Sequence, residues 1–172
     1  MKLQLTLTAA GLASLGAPAL AADVQLKFDL PRLNVAEYHK PYVAVWLEKS
    51  GSSTAAAQLA LWYDLKKPNN GGTKWVRDMR QWWRAGGRSL ALPADGVSGA
   101  TRGAGEHVIN LSQHPAFAGL APGSYDMVVE VSREAGGREV RRLPFTWPLK
   151  TAADIKVQGD DELGALQLTM KP

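Results

Sequence analysis

The amino-acid sequence predicts an all-β fold, a two-layer antiparallel β-sandwich with one inserted helix rich in tryptophan and arginine. The chain has 172 residues, of which 45% are hydrophobic and 21% charged, a composition typical of a folded domain with a sizeable core. Seventeen glycines and ten prolines supply the turns that short strands need. About seven or eight short alternating segments, separated by such turns, favour a sandwich.

Residues 1–21 predict a secretory signal peptide rather than a part of the fold. A positive start at Lys2 precedes an apolar stretch over residues 3–15, and Ala19-Leu20-Ala21 has the A-x-A pattern of a cleavage site. The alternative is an apolar N-terminal helix, which the agreement of all three parts disfavours. We therefore expect a single domain over residues 22–172, exported to a bacterial periplasm, soluble and without a membrane span.

The strands follow from alternation of apolar and polar residues. Val24, Leu26 and Phe28 fall on one face of the first segment, as in a half-buried strand. The full set of expected strands covers residues 24–30, 42–48, 57–65, 106–111, 124–133, 140–147, 155–157 and 165–170. The strand at 42–48 has apolar residues on both faces and is expected in a sheet interior. Ala135-Gly136-Gly137 predicts a hairpin turn.

Between residues 73 and 86 the apolar spacing changes to that of a helix. Apolar side chains recur at i, i+4, i+7 and i+8: Trp75, Met79, Trp82 and Trp83. We expect Trp75 and Trp82 to anchor this helix to the sandwich. Trp83 points about a hundred degrees away from Trp82 and is a candidate for stacking on a planar ring system.

The residue inventory excludes several kinds of site. Without cysteine there is no disulfide scaffold, thiol nucleophile or Cys-ligated metal, and only three histidines are present. The formal net charge is +4. The basic residues come closest to forming a cluster at Arg77, Arg80, Arg84 and Arg88. This spacing is more typical of a solvated helix face than of a nucleic-acid site. We expect no nucleic-acid partner.

A small-residue loop, roughly residues 93–105, holds the most informative stretch. Residues 95–101 read Asp-Gly-Val-Ser-Gly-Ala-Thr. This stretch resembles the flavinylation sequence Asp-x-x-Ser/Thr-Gly-Ala-Thr of exported FMN-binding proteins, such as the FMN-carrying subunits of sodium-pumping quinone reductases. The matching positions are Asp95, Ser98, Gly99, Ala100 and Thr101. About one chain of this size in a few thousand would match by chance.

The resemblance implies that an ApbE-type flavin transferase joins the FMN phosphate to the Thr101 hydroxyl as a phosphoester. The residue chemistry is consistent with this, because threonine supplies a hydroxyl and the surrounding glycines and alanines leave an exposed, deformable loop. Arg102 follows directly and can pair with the phosphodiester anion. The alternative is a glycine-rich connection without chemistry, since Asp, Ser and Gly are common in turns.

Further segments resemble known families. Residues 41–46, 61–63 and 74–84, together with the 98–101 loop, are similar to a periplasmic domain-of-unknown-function family, number 2271. Its members tend to be encoded beside PepSY membrane proteins and flavin transferases, which implies flavin-linked periplasmic electron transfer or iron acquisition. Residues 105–125 resemble the Ig-like domain of flagellar hook-capping proteins, which implies an Ig-like sandwich.

These observations lead to a functional expectation with a rival. We expect a periplasmic redox carrier with covalent FMN, and not a self-contained enzyme, that exchanges electrons with a membrane protein of PepSY type. The expected cofactor-binding residues are Thr101, Ser98, Gly99, Ala100, Asp95, Arg102 and Trp83. The rival is an Ig-like periplasmic binding or adaptor module without cofactor. A third reading is non-covalent FMN bound against the tryptophan-rich face.

Overall fold

The computed structural model describes residues 22–172, which form two β-sheets packed face to face. The four-stranded sheet has the order β5-β1-β9-β8: β5 (Gly105–Asn110), β1 (Asp23–Leu30), β9 (Ala165–Lys171) and β8 (Ala153–Gln158). The five-stranded sheet has the order β4-β3-β2-β6-β7: β4 (Ser98–Ala100), β3 (Ala55–Tyr63), β2 (Tyr42–Lys49), β6 (Gly123–Ser132) and β7 (Arg138–Trp147). The predicted all-β sandwich is therefore confirmed, while the predicted signal peptide lies outside the described residues.

Alternation along the strands builds the core between the sheets. Val24, Leu26 and Phe28 of β1 are fully buried, and they pack with Val43 and Val45 of β2 in one cluster. Each of the eight predicted strands matches an observed strand to within two residues at either end. Among the strands of residues 22–172, β4 alone has no predicted counterpart, because three residues are too few to carry an alternating pattern.

The five-stranded sheet has a second buried layer on its outer face. β2 is the middle strand of this sheet, and its residues 42–48 are all buried. Trp46 and Leu61 face outward from the sheet into a cluster with Met79 and Trp82 of the following helical segment. The expectation that residues 42–48 form an interior strand is therefore confirmed.

The continuous helix expected over residues 73–86 is wrong. The segment consists of two 3₁₀ helices, Pro68–Lys74 and Val76–Asp78, followed by the short helix α1 (Arg80–Ala85). Met79 has φ −76° and ψ 77°, which interrupts the helical backbone before α1. A second short helix, α2 (Pro115–Ala118), was not predicted.

This interruption changes which side chains are buried. Val76, Met79 and Trp82 pack on the sheet at three-residue intervals, the period of a 3₁₀ helix. Trp75 is 36% exposed, so its expected role as an anchor is wrong. Trp82 is fully buried, and its indole N–H donates to Gln58 Oε1 at 2.7 Å, so its predicted role as an anchor is confirmed.

Candidate functional site

The predicted site lies where the chain passes from one sheet to the other. β4 is an edge strand of the five-stranded sheet, and β5 is an edge strand of the four-stranded sheet. Residues 101–104 connect the two along one side of the sandwich. Thr101 therefore lies at a rim between the sheets, and the chain on each side of it belongs to a sheet.

The loop expected over residues 93–105 is wrong in its centre. Ser98, Gly99 and Ala100 form β4, which runs parallel to β3. The backbone N–H of Thr101 donates to the Tyr63 carbonyl at 3.2 Å, which extends this pairing by one residue. The edge of β3 offers backbone groups that need partners. Thr101 is thus held by the sheet and is not on a freely deformable loop.

A tight turn precedes β4. The Ser98 hydroxyl accepts a hydrogen bond from the backbone N–H of Ala94 at 2.9 Å, while the N–H of Ser98 donates to the Ala94 carbonyl at 2.9 Å. Gly96 has φ +71°, a conformation that glycine adopts without steric cost. Asp95 is exposed within this turn. Ser98 therefore fixes the start of the motif, whereas Asp95 is open to a partner.

Gly99 allows β4 to lie against the indole of Trp62. An added Cβ at Gly99 would lie 3.1 Å from Trp62 Cδ1 and 3.4 Å from Nε1. Such spacing is tighter than ordinary van der Waals contact, so a larger side chain would displace either β4 or the ring. The glycine of the motif thus has a packing role here.

An aromatic cluster lies beneath the rim. The Trp62 ring centroid is 5.4 Å from that of Phe28 and 5.5 Å from that of His107. The His107 Nε2 lies 2.8 Å from the Gly103 carbonyl oxygen, a hydrogen bond that ties the crossover to β5. Trp62 is 4% exposed and Phe28 is fully buried. The crossover therefore rests on a cluster of aromatic rings, of which Trp62 and Phe28 are buried.

Arg102 covers this base from the solvent side. Its guanidinium carbon lies 4.1 Å from the centroid of the Trp62 ring, a cation–π contact. Arg102 is exposed, and no ion pair of its side chain occurs among residues 22–172. The cation beside Thr101 is therefore positioned by an aromatic ring and remains available to an anion.

Trp83 lies away from this aromatic cluster. Trp62 belongs to the core between the sheets, whereas Trp83 packs on the outer cluster, with its ring 6.3 Å from that of Trp82. The two tryptophans thus lie on opposite faces of the five-stranded sheet. The structure brings together Ser98, Gly99, Ala100, Thr101 and Arg102, and Asp95 lies in the adjoining turn.

Neither Trp62 nor His107 is among the cofactor-binding residues expected from the sequence. Alternation in β3 places Trp62 on the opposite face from Leu61 and Tyr63, and this much can be read from the sequence. The position of the Trp62 ring beneath Arg102 depends on β4 and β5 being edge strands of the two different sheets. This arrangement is a property of the topology and cannot be read from the local sequence.

The residues at the rim have room for a phosphate-linked group. An added Cβ at Gly103 or Gly105 would meet no atom within 4 Å, so the space beside the crossover is open. Thr101 is half-buried, between exposed Ala100 and exposed Arg102. The open space at Gly103 and Gly105, and the exposed Arg102 that follows Thr101 in the chain, are compatible with FMN attached through its phosphate.

A comparison with protein families identifies a relationship that covers most of the chain. Residues 23–165 match the family described as "Predicted periplasmic protein (DUF2271)". The chain belongs to this family. Its members are described as periplasmic, which confirms the localisation expected from the N-terminal segment. No curated protein and no solved structure matches the chain.

The family match includes every residue of the rim. β3, β4, the crossover and β5 all fall within residues 23–165. Among residues 22–172, no helix is long and apolar enough to cross a membrane.

Proposed function

We propose that this member of the DUF2271 family is a periplasmic electron carrier with FMN attached through a phosphoester to Thr101. The observation that carries the proposal is the Asp95–Thr101 sequence, which ends on a hydroxyl-bearing residue at an open rim. The backbone of Thr101 is tied to β3, and Arg102, the next residue in the chain, places its guanidinium on the Trp62 ring.

The attachment step balances as a phosphoryl transfer from a flavin dinucleotide. The Thr101 Oγ attacks the phosphorus of the FMN half, the pyrophosphate bond breaks, and adenosine monophosphate leaves. The hydroxyl proton passes to a base of the flavin transferase, so the chain supplies only the nucleophile. Because the new bond involves the phosphate, the flavin ring is free to exchange electrons when bound.

The residues of this chain have distinct roles in the proposal. Ser98 and Gly99 shape the turn and strand that present Thr101, through the bond to Ala94 and the close approach to Trp62. Arg102 offsets the negative charge that the phosphodiester retains, and Trp62 holds the guanidinium at this place. Ala100 and the glycines of the crossover leave space for the transferase.

Two partners follow from this role. A flavin transferase modifies Thr101, and a membrane redox protein of PepSY type gives or accepts the electrons. Exposed Asp95 and Ala100 give the transferase direct access to both sides of the motif. The carrier itself needs only to expose the flavin to its membrane partner.

The proposal is tested by the intact mass of the protein exported from cells that express an active flavin transferase. We expect a mass gain equal to FMN less one water in the wild-type protein, and none in Thr101→Ala. Thr151→Ala is the matched control, because Thr151 is an exposed threonine outside the motif.

An unmodified wild-type mass, with the transferase active on a known target, would contradict the proposal. The cofactor-free binding or adaptor module would then be the better account. A mass gain retained in Thr101→Ala would place the flavin on another residue.

A further inference from the structure

The outer layer on the five-stranded sheet has an unusual charge. This layer, here called the basic layer, consists of residues 66–88. It carries one acid, Asp78, and seven cations: Lys66, Lys67, Lys74, Arg77, Arg80, Arg84 and Arg88. The rest of residues 22–172 carries twelve Lys or Arg against fifteen Asp or Glu. The basic layer is therefore strongly positive, whereas the rest of residues 22–172 carries a small net negative charge.

These cations are not neutralised by their surroundings. Six of the seven are exposed, and Lys67 is half-buried. Within residues 22–172, Lys67 is the only one of these seven cations that forms an ion pair, and its partner is Glu134 at 3.0 Å. The expectation of solvated arginines at 77, 80, 84 and 88 is thus confirmed.

The acids beneath the basic layer already have other partners. Glu130 accepts from the backbone N–H groups of Gln81 and Trp82 and pairs with Arg138 at 2.8 Å. Glu48 pairs with Arg142 at 2.6 Å and accepts from the Trp46 indole. The positive charge of the layer is therefore directed to solvent.

Apolar side chains are exposed at the same surface. Trp75 is 36% exposed within the layer, with Lys67 Nζ 5.6 Å from its ring centroid. Leu65, one residue before the layer, is 43% exposed. Tryptophan favours the boundary between water and lipid, and the long stems of lysine and arginine keep their charges at that boundary.

We propose that the basic layer docks the protein on an anionic phospholipid surface. The dispersed cations of the layer, together with exposed Trp75 and the neighbouring exposed Leu65, suit attraction to a charged membrane surface. A stable protein interface usually has a larger apolar centre than Trp75 and Leu65 supply. This inference goes beyond flavin attachment and does not depend on it, because the unmodified protein carries the same layer.

Vesicle sedimentation with the unmodified exported protein tests the proposal. We expect binding to vesicles of phosphatidylglycerol and phosphatidylcholine in equal parts, and none to phosphatidylcholine alone. Raising the salt from about 0.01 M to about 1 M shortens the screening length from about 30 Å to about 3 Å and should release the protein.

Charge variants locate the binding surface. The variant R77Q/R80Q/R84Q/R88Q should bind the anionic vesicles at least about tenfold more weakly, since each cation near such a surface contributes to binding. The matched control is K40Q/K49Q/K150Q/K171Q, which removes four exposed charges outside the layer and should keep most of the affinity. Trp75→Ala, which keeps every charge, should also weaken binding.

Three outcomes would overturn the proposal. One is no binding to anionic vesicles at low salt, and another is equal loss of binding in the two quadruple variants. The third is binding of the layer to an acidic polypeptide, such as polyglutamate, with no binding to vesicles, which would point to an acidic protein partner instead.

Discussion

Arg102 and Trp62 form a cation–π contact next to Thr101, the proposed attachment residue. The guanidinium carbon lies 4.1 Å from the centroid of the indole, and the Arg102 side chain remains exposed. Arginine suits this position because its planar group both stacks on a ring and pairs with phosphate oxygens. The cation is thereby fixed in place before any anion arrives.

Replacing Arg102 should lower flavin attachment more than it lowers stability. In Arg102→Gln we expect the flavinylated fraction at a fixed expression time to fall several-fold, because the phosphodiester loses its cation. The free energy of unfolding should fall by only about 0.5–1 kcal/mol, the typical contribution of an exposed cation–π contact. Intact mass and denaturant unfolding measure the two effects. Arg32→Gln, an exposed arginine elsewhere, is the control, and an equal attachment loss in both variants would contradict this role.

Gly99 gives a second prediction at the level of one residue. In Gly99→Val the added side chain meets the Trp62 ring, whose Cδ1 lies 3.1 Å from the ideal Cβ position. We expect a loss of about 1–3 kcal/mol in the free energy of unfolding, as for other overpacked sites. Gly103→Ala is the control, because nothing lies within 4 Å of its added Cβ. Equal stability of the two variants would show that β4 does not depend on the glycine.

At the scale of elements, α1 is held by a carboxylate from the sheet beneath it. Met79 at its N-terminus offers no side-chain cap. Instead Glu130 of β6, fully buried, accepts from the backbone N–H of Gln81 at 3.2 Å and of Trp82 at 2.6 Å. Arg138 of β7 completes the arrangement at 2.8 Å. A carboxylate from a distant strand thus performs the role that Ser or Asp normally has at a helix start.

Removal of the Glu130 carboxylate should loosen the outer layer. In Glu130→Ala we expect a loss of about 2–4 kcal/mol in unfolding free energy, because two backbone N–H groups lose their partner, whereas Arg138 is partly exposed and can be solvated. Glu106→Ala, which breaks an exposed pair with Lys27, should cost about 0–1 kcal/mol. Chemical denaturation followed by tryptophan fluorescence compares them. Similar losses in the two variants would refute the capping role.

The elements differ in how far the sequence predicts them. Strands such as β1 and β6 follow from alternation alone, since one buried face imposes a two-residue period. For residues 73–86 the sequence predicts one continuous helix, because Trp75, Met79, Trp82 and Trp83 have α-helical spacing. The observed segment instead buries Val76, Met79 and Trp82, which are spaced at the three-residue period of a 3₁₀ helix. The motif of the candidate site is visible in the sequence, but its contact with Trp62 requires knowing which strands form the sheet edges.

At the scale of the whole molecule, a buried carboxylate joins the two sheets. Glu139 of β7, in the five-stranded sheet, accepts from backbone N–H groups of residues 160–163, which connect β8 to β9 in the other sheet. Burial raises the pKa of Glu139, but these hydrogen bonds and Arg141 outweigh burial and hold the pKa below its ordinary value of 4.5. The ionised form is therefore favoured by folding.

This linkage predicts an acid-sensitive fold. The stabilisation from Glu139 is complete above its unfolded-state pKa and is lost as the pH falls through the lower folded-state pKa. The unfolding free energy should thus decline below about pH 4.5, and Glu139→Gln should flatten that decline while lowering stability at neutral pH. In the control Asp154→Asn the acid profile should change little, because the Asp154 carboxyl is exposed and its interactions are screened by solvent. An unchanged acid profile in Glu139→Gln would contradict the linkage.

The two proposed surfaces are carried by different parts of the molecule. Thr101 lies at the rim between the sheets, and the basic layer covers the outer face of the five-stranded sheet. β3 connects them, because Tyr63 bonds Thr101 through its backbone while its ring packs in the outer cluster. The proposed attachment residue and the outer cluster beneath the basic layer are thus linked through one residue of β3.

The most direct test of the central claim is to locate the flavin on the exported protein by peptide fragmentation. Trypsin cleavage at Arg88 and Arg102 releases residues 89–102, which contain Thr101 together with Ser89 and Ser98. The account predicts that this peptide carries the mass of FMN less one water and that fragmentation assigns it to Thr101. Assignment to Ser98, or an unmodified peptide from cells with an active transferase, would contradict it.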